Sequence, residues 1–145
     1  MHFTGTYDRN LDAKGRLALP PAFKKQLDGV SLRVLPAPEK EVDALYVFTE
    51  DTFTAWLDSV FDDKGGFQPT NPAHRKVKEA LNGAATTLET DSAARISLPE
   101  EQRAKAHLDR EVTIVGNGDR LVVWDRATHE ARQAEIEDVL ADFFG

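Results

Sequence analysis

The chain has 145 residues, no cysteine, 18 Lys/Arg against 25 Asp/Glu and a formal net charge of −7. That length can bury a core sufficient for folding, the lack of cysteine excludes disulfides and thiolate chemistry and fits a reducing compartment, and no apolar run reaches the roughly 18 residues of a membrane-spanning helix. The opening MHFTGTYDRNLDAKGR holds no apolar secretion core, so the sequence predicts a soluble cytoplasmic protein.

In chain order, Phe3 to Leu11 is strand-compatible, and Asp12-Ala13-Lys14-Gly15 has the makings of a turn, with Asp first and Gly last. Leu17 and Leu19 follow with period two, and Pro20-Pro21 ends that strand and opens a short helix to Leu27 that buries Phe23 and Leu27. VSLRVL and ALYVF read as two more strands around the loop PAPEKEVD. Thr49 caps a helix carrying Phe53, Trp56, Leu57, Val60 and Phe61, which Lys64-Gly65-Gly66 stops. Asn71-Pro72 opens another, with Ala73, Val77, Ala80 and Leu81 on one side, and Asn82-Gly83 is predicted to end it.

The next stretch repeats the first. TDSAARISLP from Thr90 matches LDAKGRLALP from Leu11 at a shift of 79, placing Asp91 on Asp12, Arg95 on Arg16, Ile96 on Leu17, Leu98 on Leu19 and Pro99 on Pro20. A short helix led by Glu100 and Glu101 follows, then VTIV and RLVVW joined by Gly116-Asn117-Gly118-Asp119, a hairpin signal. A last helix after Asp125 carries Ile136, Val139, Leu140, Phe143 and Phe144. The middle of each helix is expected to pack on the chain's own sheet, while the C-terminal aromatics leave a subunit contact open. The expected organisation is a first unit over 5–51, connecting helices over 52–81, a second unit over 82–127 and a C-terminal helix over 128–145.

The charge is unevenly spread. Residues 1–35 hold six Lys/Arg against three Asp/Glu, whereas residues 36–73 hold two against eight. A basic face on an acidic body is one reading and chance clustering on an acidic surface the other. His2, His74, His107 and His129 show no metal-ligand spacing and read as surface or helix residues. Phosphate-binding glycine loops and nucleophile elbows are missing too, so neither an enzyme nor a cofactor nor a metal is predicted. The repeated Asp-x-x-x-Arg remains. Asp12 and Asp91 can simply cap their turns, but Arg9, Lys14, Arg16, Lys24 and Lys25 lie on or beside one turn and its helix. Such a tip can touch phosphates with lysine and read guanine with arginine. Two copies would present two tips or bury one.

LDAKGRLALPPAFKKQL, NPAHRKVKEALNGA and TDSAARISLP, in that order, resemble the MraZ family of bacterial transcriptional regulators. The resemblance runs nearly end to end. It implies an α+β, mainly β fold: two swapped-hairpin units of the SpoVT-AbrB type in a pseudo-twofold barrel, with flanking helices that help protomers form homo-oligomeric rings. It further implies binding of double-stranded DNA at tandem promoter repeats ahead of the division and cell-wall gene cluster, usually as a repressor, and hence a nucleoid-associated protein. The family motif maps onto Asp12 and Arg16, with Gly15 between them, and onto Asp91 and Arg95. Ala94 stands where the family's second motif has Gly, so the second turn is expected to differ in shape and Arg95 in role. The family's basic middle helix is thinner here, Arg75, Lys76 and Lys78 being partly offset by Glu79. The first motif is therefore expected on DNA, with Arg16 reading bases, Arg9, Lys14, Lys24 and Lys25 on phosphates, and Arg95 a further DNA-binding candidate. The rival reading is an antitoxin-like or scaffold module that docks a protein through the acidic C-terminal helix.

Overall fold

In the computed structural model, which describes residues 2–145, the period-two stretches form eight strands and the capped stretches six α-helices. The first unit contains β1 (Thr6–Asn10), β2 (Arg16–Ala18), α1 (Pro21–Leu27), β3 (Leu32–Pro36) and β4 (Ala44–Thr49). After α2 (Glu50–Ser59) and α3 (Pro72–Ala84), the same order recurs as β5 (Thr86–Leu88), β6 (Arg95–Ser97), α4 (Glu100–Lys105), β7 (Glu111–Gly116) and β8 (Leu121–Asp125), then α5 (Arg126–Ala131) and α6 (Gln133–Phe144).

Six strands form one antiparallel sheet in the order β1-β7-β8-β4-β3-β5, and β2 pairs with β6 as a separate two-stranded ribbon. Exchanging the two units reverses the sheet order onto itself, so a pseudo-twofold runs between β4 and β8. The first strand of each unit pairs with the other unit: Tyr7 lies opposite Ile114, and Thr87 opposite Arg33. The expected barrel is not found. The sheet is open, with β1 and β5 at its two edges; instead of closing on itself, it covers one face with the β2–β6 ribbon, α1 and α4.

Strand alternation builds two cores from the central strands. Leu45 and Val47 of β4, with Leu121 and Val123 of β8, face a core with Leu17, Leu19, Phe23, Leu27, Ile96 and Leu98. Their neighbours Tyr46, Phe48, Val122 and Trp124 face a second core with Phe53, Trp56 and Leu57 of α2 and Leu81 of α3. The ribbon is thereby packed against the sheet on its inner side, which fixes where its outer side points.

Three helical expectations change. First, α3 runs past Asn82-Gly83 to Ala84. An interior glycine costs a helix about 1 kcal/mol, and here the buried Gln102 side chain donates Nε2 to the Ala84 carbonyl at 3.0 Å, satisfying the final turn from outside. Second, α3 buries only His74 and Leu81, leaving Ala73, Val77 and Ala80 exposed. His74 is therefore a core residue: it lies 4.9 Å from the Phe61 ring and its Nδ1 accepts the Gln68 backbone N–H at 3.0 Å. Third, the C-terminal helix is two helices broken at Arg132, whose guanidinium sits 4.1 Å from the Trp124 ring centroid. Beyond that break Val139, Leu140, Phe143 and Phe144 lie exposed. No helix among the described residues is long and apolar enough to cross a membrane.

Candidate nucleic-acid interface

Each Asp-x-x-x-Arg segment closes on itself through the aspartate. The Asp12 Oδ1 accepts the backbone N–H groups of Lys14 and Arg16, both at 2.9 Å, while Oδ2 accepts Nε of Arg16. The Gly15 N–H donates to the Asp12 carbonyl at 2.9 Å, and the Asp12 N–H to the Arg16 carbonyl at 3.1 Å. In the second copy Asp91 Oδ1 accepts from Ala93 and Arg95, both at 2.9 Å, and Oδ2 accepts Arg95 Nε at 3.0 Å. The backbone bonds repeat as well, Ala94 to Asp91 at 3.0 Å and Asp91 to Arg95 at 2.9 Å.

The two turns are thus alike, contrary to the expectation from Ala94. Ala94 takes the left-handed conformation at φ 56°, as Gly15 does at φ 74°. Its local preference is overruled by the Asp91 bonds and by the Leu19 N–H, which donates to its carbonyl at 3.1 Å. Left-handed backbone costs an L-residue about 1–2 kcal/mol, while the methyl recovers about 0.8 kcal/mol by burial and about 0.5 kcal/mol through reduced unfolded-state entropy. Ala94→Gly is therefore expected to change stability by less than about 0.7 kcal/mol in urea unfolding. Gly15→Ala should cost about 1–2 kcal/mol through its left-handed backbone, and its methyl, 2.5 Å from the Arg103 guanidinium, would displace that side chain instead of filling free space. Equal losses from both would contradict this account.

Ribbon pairing brings the turns together. Arg16 lies opposite Ser97, Leu17 opposite Ile96 and Ala18 opposite Arg95. Leu17 and Ile96 are fully buried, so both arginines lie on the outer side of the ribbon, with side chains 30% and 34% exposed. That exposure matters because an enclosed, neutralised arginine could not reach a partner. Nη1 of Arg95 stands 4.0 Å from Asp12 Oδ2, linking the two pairs. In each arginine Nε is held by its own aspartate, which fixes the side chain and leaves the Nη end to point elsewhere.

The same bonds set the aspartate chemistry. The Arg16 backbone N–H, with help from its guanidinium and the Lys14 N–H, holds the Asp12 carboxyl down at about 2. The Arg95 backbone N–H and then that of Ala93 lower Asp91 in the same direction. Because the folded values lie below the unfolded ones, this stabilisation is present above about pH 4 and is lost as pH falls toward about 2. Asp12→Asn should flatten that part of the acid dependence of the urea midpoint; an unchanged acid limb would contradict the assignment.

Of the other predicted residues, Lys14 projects from the first turn, and Lys24 and Lys25 occupy the last turn of α1, all exposed. None of these lysines is ion-paired among the described residues. Arg9 stands apart on the edge strand β1, its guanidinium 5.8 Å from the Tyr7 ring centroid and bonded to the Asp8 carbonyl at 2.8 Å. The fold places Asp12, Lys14, Gly15 and Arg16 at one end of the short antiparallel ribbon and Asp91 and Arg95 at the other, with α1 following β2 directly.

A family model described as "MraZ protein, putative antitoxin-like" matches residues 81–142. The chain is 34% identical to "Transcriptional regulator MraZ" of Marinomonas sp., over 97% of this chain and 92% of that protein. It is 33% identical to the protein of the same name from Salinispora tropica, over 97% and 93% of the two chains. The chain belongs to the MraZ family. Within this MraZ chain the residue that sequence reading missed is Arg103, which lies against Gly15. The signal was present, since the shift of 79 sets Arg103 on Lys24.

Proposed function

We propose that the chain is a sequence-specific DNA-binding transcriptional regulator that acts as a homo-oligomer, mainly as a repressor, at tandem promoter repeats of the division and cell-wall gene cluster. One observation carries the reading: Arg16 and Arg95 share the solvent-facing side of a rigid ribbon, their Nε atoms fixed by aspartates and their outer nitrogens available. Arginine so oriented can pair with guanine edges in the major groove. In this reading Arg16 is the principal base reader, Lys14, Lys24, Lys25 and Arg9 touch phosphates, and Arg95 contacts DNA less. The exchanged strands support two swapped-hairpin units over 5–51 and 82–127, linked by 52–81 and followed by 128–145. The names of the relatives agree with a regulatory role. DNA as partner places the protein in the cytoplasm, at the nucleoid.

A single protomer neutralising two or three phosphates binds weakly at physiological salt, with log affinity falling by roughly 0.9 per phosphate per decade of salt. Several tips on an assembled particle convert later contacts into intramolecular ones, which favours tandem sites. Fluorescence anisotropy with the duplex upstream of the protein's own gene, against a shuffled duplex of equal composition, tests the reading. Tighter binding to the upstream DNA supports it; equal affinities overturn the sequence specificity.

One observation favours a second reading, a protein-docking module: the apolar, acid-flanked end of α6 is exposed. Loss of a protein complex on deleting that end, with DNA binding unchanged, would select it.

A further inference from the structure

The pseudo-twofold is broken at one place beside the tips. Arg103, from α4 of the second unit, donates Nε to the Leu98 carbonyl at 3.0 Å, and the Leu98 N–H donates to the Gly15 carbonyl at 3.1 Å. Its guanidinium lies flat on the first turn, so close that a methyl at Gly15 would stand 2.5 Å from Cζ and 2.6 Å from Nε and Nη2. At the equivalent place on the second turn the Ala94 methyl fills that space, and the residue matching Arg103 is Lys24, exposed on α1. Gly15 with Arg103 and Ala94 with Lys24 are thus two alternative fillings of one position.

Arg103 is half-buried, and no carboxylate among the described residues lies within ion-pairing distance of it. It lines a cleft of about 370 Å³ with Asp12, Asp109 and Arg110. Asp12 is already engaged by Arg16. Asp109 lines the cleft without pairing with Arg103, so this partly desolvated guanidinium has no ion-pair partner and gains from an arriving anion, for which its Nη donors remain after Nε is used.

We propose that Arg103 is a DNA-phosphate contact of the first tip, supplied in cis by the second unit, and that it makes the two tips unequal. This rests on the DNA-binding reading above. An anion meeting the Arg16 tip would be held by Arg103 from the α4 side and by Lys14 from the turn itself.

The test uses full-length protein and a labelled random-sequence duplex of about 30 base pairs, with affinity measured against salt. Arg103→Gln removes the charge but keeps a donor for the Leu98 carbonyl; Arg103→Lys keeps the charge and loses the flat stacking. The expected result is a salt slope shallower by about 0.9 for each tip engaged in Arg103→Gln and a wild-type slope in Arg103→Lys. A wild-type slope in Arg103→Gln, whatever its affinity, overturns the proposal. Wild-type protein showing no salt-dependent binding would instead sink the DNA reading itself. Unfolding midpoints and particle mass, measured alongside, confirm that both variants are folded and assembled.

Discussion

Arg16→Ala is expected to abolish the gel shift of tandem-site DNA while leaving the size-exclusion profile unchanged. The fold should tolerate the change because Asp12 holds its turn mainly through the backbone N–H groups of Lys14 and Arg16, which the alanine variant retains. The buried partner in the ribbon is Leu17, not Arg16. What disappears is a pre-oriented guanidinium: each bidentate arginine–guanine contact contributes about 1–3 kcal/mol of discrimination, roughly 5–150-fold per tip. Several tips on one particle compound that loss. Arg95→Ala should weaken binding less, since the second turn carries the Ala94 methyl where the first carries Arg103. If Arg16→Ala bound tandem sites as well as wild type, or if Arg95→Ala were the more damaging, the ranking of the two tips would be wrong.

Deleting residues 138–145 is expected to produce a smaller particle and to collapse binding to tandem sites. The segment removes Val139, Leu140, Phe143 and Phe144, the last two about 80% exposed and so contributing little to the protomer's own core. Protomer stability should therefore change little, and the lost apolar surface should appear in assembly. Linked tips gain about 10²–10⁴ in avidity, so affinity for tandem repeats should fall by that order while affinity for an isolated repeat stays the same. Light scattering and anisotropy on one-repeat and two-repeat duplexes read both effects. An unchanged particle mass would remove α6 from the assembly.

Much of this was legible because the chain states its unit twice. Leu17 and Ile96, equivalent under the shift of 79, are also the pair that face each other at the centre of the antiparallel ribbon. Caps were equally readable: Thr49 starts α2 through a reciprocal bond with Thr52, and Asn71 accepts from Ala73 at 2.9 Å at the start of α3. What escaped depended on partners distant in the chain. Ala94 looked unsuited to a left-handed turn until the Leu19 bond was seen to hold it. The end of α3 depended on Gln102, and the burial of His74 on an aromatic loop residue, Phe67, with no periodic pattern. The open sheet replaced a barrel because the exchanged strands β1 and β5 finish at opposite edges. Arg103 lies on the surface of a six-residue helix and becomes notable only when Gly15 is beneath it.

The most direct test is a nuclease footprint of purified protein on the DNA upstream of its own gene, run in parallel with Arg16→Ala. Regularly spaced short protections in direct repeat, absent with the variant, are the predicted outcome. Uniform cleavage along the whole fragment with wild-type protein, or a pattern the variant reproduces, would contradict a role for the paired arginine turns in reading DNA.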